Sequence, residues 1–502
     1  MATLAPVKTK PGQRAKAFAL PVLLLVVFSL NLFFASRVDP QASTDAAYYK
    51  VIADQVRAGK GFSEPFVWQY LTIGPASGTP SSLDRPIDYW QPLGILIIAL
   101  EEWFGGSWGP VIFSHILWTL LAGALFLEIL RRGGNETAAF LGVMLMALGG
   151  KFSYYISTTD NIVFMAWFGF LFFRLIDAKQ SRKKAIGLGI NVGLLALTRV
   201  EGLLFVLPAT WIVWKESSTK RLVLMLTCLF LVISPWVVRN LCSLGRPWPG
   251  TSRALYMLAY NDMFIPNLPL TWQTWTSNGW APILQIKESA FWRCLLEFLL
   301  APTFVLLPLW GRGLHKLWDH GAKPFLSTLG LVFAISAGVF SLQSMRGTAF
   351  HAAAAFFPMH LILIAIGFSS LNRLSLKRAR VLLIICVIWA GCITFQSSAI
   401  SHEKFSRENT PYATMPFTRN LASGTRILSY LPVQVYHLSG FAGVMAAPAR
   451  SDLWAAQADS FGCRYLLLDK TFDQTLKTVQ PGWDLIASHG PLLWWERRKT
   501  TQ

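Results

Sequence analysis

Between residues 17 and 398 the chain returns repeatedly to apolar runs of membrane-crossing length, the first at 17–35. A helix of about 20 apolar residues spans the hydrocarbon core of a bilayer. Many such runs in one chain point to a polytopic α-helical membrane protein rather than a soluble core. Only 14% of residues are charged, where a soluble domain carries about 25%. The first run lacks a small-residue cleavage site and is followed by others, so it is read as a retained helix and not a signal peptide. The 21 tryptophans suit the two bilayer interfaces.

A net charge of +19 would suit nucleic acid. Here the basic residues sit in short loops between apolar runs, the pattern of cytoplasmic loops, and no nucleic-acid partner is expected. Lys8, Lys10, Arg14 and Lys16 put the N-terminus inside. The segment 91–104, QPLGILIIALEEWF, has about ten apolar residues before Glu101 and Glu102, short for a crossing and suited to an interfacial helix. With it held at the interface, spans fall at 17–35, 109–130, 137–155, 161–177, 185–199, 201–214, 221–238, 291–310, 325–342, 350–369 and 380–398. The clusters Arg131/Arg132, Lys179–Lys184, Lys215–Arg221, Arg312–Lys323 and Arg373–Arg380 then all face inside. Making 91–104 a crossing would put every cluster outside. The expected topology is about eleven helices, N-terminus in and C-terminus out.

Residues 1–399 form the expected membrane domain and 400–502 a small extracytoplasmic α/β domain. In the latter, GTRILSYL, QVYHLSGFAGVMAA and CRYLLLDK suggest strands, and SDLWAAQADSFG and FDQTLKTV suggest helices. A hairpin is expected around SHGPLLWWERR. No phosphate-binding glycine fingerprint occurs there, so no catalysis is assigned to it. Cys242 and Cys463 both fall outside the membrane, and whether they pair is left open.

In this topology Asp45, Asp160, Arg199 and Glu201 of the TRVEG turn, Arg239, Arg346 and His351 all emerge on the outer side. A carboxylate at a membrane face can deprotonate an acceptor hydroxyl or bind a divalent metal. Arginine matches phosphate oxygens with a two-pronged donor set. Arg85 and Asp88 in DRPIDYWQP are placed to face the same space. The plainer readings are helix capping for Asp45 and Asp160, and snorkelling to the interface for the arginines.

The order of motifs carries a resemblance. TDAAYYKVIA (44–53), QPLGILIIAL (91–100), TTDNIVF (158–164), LTRVEG (197–202) and PWVVRNLCSLGRP (235–247) occur in sequence, with RGTAFHAAAAFFP (346–358) as a weaker later element. Together they resemble the GT-C superfamily of integral-membrane glycosyltransferases, in the branch of protein O-mannosyltransferases and aminoarabinose transferases. The resemblance implies a polyprenyl-phosphate-linked sugar donor, a lipid, glycan or protein acceptor, and inversion at the anomeric carbon. It implies catalytic roles for Asp45 and Asp160. The family's first loop often carries two adjacent acids, whereas Ala46 follows Asp45 here, so a divalent metal cofactor stays open. The expected setting is a bacterial-type inner membrane. A lipid-linked saccharide transporter or a non-catalytic envelope assembly protein is the alternative from another class. The lack of a visible internal repeat weighs against transporters built from related halves.

Overall fold

A computed structural model describes every residue except 1–10, 73–82, 217–218, 249–250, 301–303, 372–375, 414–420, 471–479 and 499–502. The FDQTLKTV segment and the basic residues Lys8, Lys10 and Arg373 lie outside the described residues. The membrane part contains α1 (Pro11–Ala35), α2 (Thr44–Arg57), α3 (Pro92–Gly105), α4 (Gly109–Arg131), α5 (Glu136–Leu148), α6 (Ser153–Ile156), α7 (Ile162–Ile176), α8 (Arg182–Thr198), α9 (Val206–Glu216) and α10 (Thr219–Leu244). It continues with α11 (Trp272–Ser277), α12 (Trp280–Leu295), α13 (Leu307–Lys316), α14 (Lys323–Gly338), α15 (Ala349–Ser369) and α16 (Leu376–Ala413).

Helix occurs at each expected span, but not always as a full crossing. Among the described residues six helices are long and apolar enough to cross a membrane, or seven if one bent pair counts as a single span. The short apolar helices Leu20–Ala35 and Ile162–Ile176 fall below that length. The expected span 291–310 is the bent pair, its two halves turning by 61°.

The α3 segment does not run straight on into α4. A Cβ on Gly109 would lie 2.2 Å from the Glu101 carbonyl oxygen, although eight residues of straight helix would separate them by about 12 Å. Gly106, at φ +59°, makes the turn. This fold-back is what a separate juxtamembrane helix at 91–104 requires. By contrast α2 is enclosed. Ala47, Tyr48, Tyr49, Val51, Ile52 and Ala53 are all buried, packed against α3 and the outer domain.

The outer domain holds β3 (Arg426–Ser429), α17 (Pro432–Ser439), β4 (Ala442–Met445), α18 (Ser451–Phe461), β5 (Tyr465–Asp469), β6 (Trp483–His489) and β7 (Leu492–Arg497), numbered after two short paired strands, β1 (Ser63–Glu64) and β2 (Arg85–Pro86). The sheet order is β4-β3-β5-β7-β6, with β3 parallel to both neighbours and the β6–β7 hairpin antiparallel, as expected around SHGPLLWWERR. QVYHLS, expected as strand, is helical. Pro432 occupies its first turn, where proline suits a helix, and the helix links two parallel strands, as a crossover must.

The domain is stitched to the first outer loop. The Val67 amide donates to the Gly443 carbonyl at 2.9 Å and the Met445 amide to the Val67 carbonyl at 2.7 Å. The Tyr70 hydroxyl donates to the Met445 carbonyl at 2.7 Å. One buried cluster therefore runs from Tyr48 and Phe66 to Val444, Leu466 and Trp495. Cys242 is exposed, Cys463 is buried, and both are free thiols.

Candidate active site

The first acidic residue owes its freedom to the one before it. Ser43 caps α2, its hydroxyl accepting the Ala46 amide at 3.1 Å. Asp45 in the first turn is thus not needed as a cap, and the capping alternative fails for it. The Thr159 hydroxyl donates to the Ala46 carbonyl at 2.8 Å and the Thr159 amide to the Pro40 carbonyl at 3.0 Å. These bonds tie the start of α2 to the turn that carries Asp160.

Asp160 lies just before α7 and is buried. It accepts the Asn161 amide at 2.6 Å, and its two oxygens lie 3.0 and 3.2 Å from His351 Nε2. The His351 ring is oriented from behind, Nδ1 standing 2.9 Å from the Gly347 carbonyl. A carbonyl only accepts, so Nδ1 is the donor there. Nε2 then faces the carboxylate, and a proton or a cation must lie between them. Gly347 makes this possible. Its φ of +138° interrupts the chain just before α15, a conformation open to glycine.

Asp45, Asp160 and His351 each offer a ligand atom within 4.8 Å of the others. Burial raises the Asp45 carboxyl above its usual range, and the nearby Asp160 and Glu201 charges act in the same direction against Arg199. Burial would also raise Asp160, but His351 and Arg199 outweigh it and hold that carboxyl low. The two acids are thus driven apart, a separation that commonly marks divided acid–base roles.

Arg199 is 7% exposed at the end of α8. It lies 3.8 Å from Asp45, reaches Glu201 at 3.3 Å, and donates to the Tyr49 hydroxyl at 3.4 Å. Its guanidinium also lies 5.0 Å from the Trp90 ring centroid. Arg346 faces the same space, stacked 4.4 Å from the centre of Tyr260, with no carboxylate partner among the described residues. All these groups except Tyr49, Asp160 and Glu201 line one cavity of about 450 Å³. Trp68, Tyr89, Trp90 and Tyr260 wall it on one side, and Tyr430, Leu431, Pro432 and Val433 of the outer domain close it.

Three sequence motifs meet here by close packing. A Cβ on Gly94 would fall 1.9 Å from Asn161 Oδ1, so the PLG of α3 leaves room for the residue beside Asp160. Asn161 in turn donates to the Thr198 carbonyl at 3.3 Å, next to Arg199. Gly94→Ala is expected to push Asn161 aside and lower any activity of the site severalfold with little loss of expression, measurable as turnover per folded molecule.

Other sequence candidates stand elsewhere. Arg239 donates to the Ile87 and Phe62 carbonyls, both at 2.7 Å, and lies 4.7 Å from the Trp236 ring centroid. It clasps the first outer loop and does not line the cavity. Arg85 pairs with buried Glu64 at 3.4 Å, and Asp88 with Arg246 at 3.0 Å. Neither lines the cavity. Their reach could not be read from the sequence, because both partners lie far away in the chain. Arg239→Gln is expected to lower stability by about 1.5–3 kcal/mol, the scale of a charge-assisted bond, with turnover kept. A thermal melt beside an activity assay would check this.

Residues that sequence reasoning passed over include Tyr49, Trp90 and Tyr260, which carry Arg199 and Arg346 on their rings or hydroxyl. Lys404 and Glu408 of α16 also line the cavity. The DAAYYK spacing offered the signal for Tyr49. Nothing local marked the others.

Residues 90–238 match the family described as dolichyl-phosphate-mannose-protein mannosyltransferase. No curated protein matches the chain in sequence. Among solved structures it is similar to ArnT from Cupriavidus metallidurans bound to undecaprenyl phosphate. The TM-score is 0.55 at 13% identity, over 97% of this chain and 98% of that one. The same protein in its apo state aligns with a TM-score of 0.52 at 12% identity, over 96% and 98% of the two chains. The α-helical membrane part and the outer sheet domain thus follow one architecture nearly end to end: the chain has the fold of that ArnT structure, and its residues 90–238 carry the mannosyltransferase-family match within it.

Proposed function

We propose that the protein is an inverting glycosyltransferase that moves a sugar from a polyprenyl-phosphate donor to an acceptor outside the cytoplasm. The observation that carries this reading is the enclosed Asp45–Asp160–His351 cluster beside two arginines on one cavity. The similar ArnT structure holds undecaprenyl phosphate, which supports a lipid-phosphate donor here. Asp45, 31% exposed through the cavity, takes the proton from the acceptor hydroxyl. The acceptor oxygen forms its bond to the anomeric carbon as the bond to the phosphate oxygen breaks, and the electron pair leaves with the polyprenyl phosphate. Arg346 and Arg199 steady the charge that grows on that phosphate. Asp160, held by His351, orients the acceptor. The membrane is the bacterial inner membrane, with the outer domain beyond it covering the cavity.

The cluster also fits a divalent metal. Ligand atoms at about 2.1 Å from a cation and at right angles stand about 3 Å apart, matching the His351–Asp160 separation of 3.0 Å. His351 and Asp160 would offer it one imidazole and one carboxylate, ligands that suit manganese or zinc, and would leave Asp45 free as the base. Such a cation would supply positive charge near the departing phosphate. Calorimetry with Mn²⁺ alone is expected to register binding by the wild type and none by Asp160→Asn. Chelation is expected to lower turnover, and added Mn²⁺ to restore it.

The function is tested by giving the purified protein, in lipid, a panel of radiolabelled polyprenyl-phosphate sugars with envelope extract as acceptor. Labelled acceptor and free polyprenyl phosphate are the expected products. Movement of intact lipid-linked sugar across a vesicle, with no release, would replace the enzyme by a transporter.

A further inference from the structure

The end of the bundle away from the cavity carries a second feature. Arg131, Arg132 and Arg174 converge on Glu128, which is buried. Asp177 adds one more carboxylate, 2.9 Å from Arg131 and 3.2 Å from Arg132. Three cations therefore meet two acids, and positive charge is left over. Arg132 is enclosed, whereas Arg131 and Arg174 are 46% and 51% exposed. Arg174 uses only Nη1 on Glu128, at 3.1 Å, which leaves Nε and Nη2 without a partner among the described residues.

Those two arginines stand at one end of a groove of about 430 Å³ between α7 and α8. Phe168, Leu171, Leu175, Ile190 and Leu194 line the rest. Gly187 keeps the groove open, since a Cβ there would approach Leu175 to 3.0 Å. The one polar side chain in the apolar part, Asn191, is already satisfied by the Phe168 carbonyl at 2.9 Å. Arg174 follows Asp160 by most of the length of α7, about 20 Å at 1.5 Å per residue. This groove is therefore separate from the catalytic cavity.

We propose that the groove is a binding site for an anionic glycerophospholipid. Its phosphate sits against Arg131 and Arg174, and one acyl chain lies along the apolar walls. In a bilayer the groove is filled by an amphiphile, and the amphiphile that satisfies guanidinium donors at one end and hydrocarbon along the rest is an acidic lipid. A snorkelling arginine alone would need no neighbouring groove. Holding three arginines on one buried carboxylate fixes their direction before any lipid arrives, which lowers the ordering cost of binding.

The test is native mass spectrometry of the full chain released from nanodiscs of equal phosphatidylglycerol and phosphatidylcholine with matched chains. Phosphatidylglycerol is expected to be retained in preference. Arg174→Gln leaves Glu128 two arginines and should weaken that retention about tenfold, the loss of one charge-assisted contact, with phosphatidylcholine unchanged. Ile190→Trp fills the groove while keeping every charge and should also displace the acidic lipid. Equal retention of the two lipids would overturn the proposal. So would displacement by inorganic phosphate alone, which marks a plain anion site, or unchanged retention in Ile190→Trp.

Discussion

Asp45→Asn is expected to lower the transfer step by about 10²–10⁴-fold, the range for a lost general base, with donor affinity little changed. Ser43 caps α2, so the substitution leaves the helix intact. Asparagine is close in shape and cannot take the acceptor proton. Stability provides the control. The folded-state pKa of Asp45 lies above its unfolded value, so the protonated form favours folding, and that advantage is lost as pH rises through the folded pKa. At neutral pH the ionised carboxylate costs stability, and Asp45→Asn should melt at the same temperature as the wild type or higher. The rate profile follows from the same shift. The base must be ionised, so the acid limb of turnover should lie above the ordinary carboxylate range. Asp160 has the opposite sign: its lowered pKa adds stability above the unfolded value, lost as pH falls through the folded one.

Arg199→Leu is expected to remove both activity and about 3–5 kcal/mol of stability, because one half of a buried ion pair is left behind. Arg199 is 7% exposed and Glu201 2%, and nothing else among the described residues forms an ion pair with Glu201 at this site. The double substitution Arg199→Leu/Glu201→Leu should recover most of the stability, since removing both charges removes the desolvation cost. It should not recover turnover, because the cation beside Asp45 is still missing. Recovery of both would make Arg199 a purely structural residue. Denaturation midpoints and turnover of the two variants separate these outcomes.

Much of the candidate site was legible in the sequence because its residues sit at chain reversals. Asp45, Asp160, Arg199, Arg346 and His351 are polar residues at the mouths of apolar runs, where hydropathy alone makes them visible. Asp160 and His351 meet at 3.0 Å although far apart in sequence, and only their shared outer face hinted at that. Arg239 has the same local appearance, yet its long side chain turns to two loop carbonyls. Side-chain reach is set by tertiary packing, which no local pattern records. The same limit applied to QVYHLS, where Val435 and Tyr436 suit a strand and the crossover between parallel strands won. Span count was also poorly legible. Short helices such as Ile162–Ile176 are buried among neighbours, so their length need not match a bilayer.

The most direct test is single-turnover release of polyprenyl phosphate by wild type, Asp45→Asn and Arg239→Gln, measured together in the same lipid with the same donor. Full release by the wild type, near-complete loss in Asp45→Asn, and retained release in Arg239→Gln are expected. Retained release in Asp45→Asn, with that variant fully folded, would contradict Asp45 as the base.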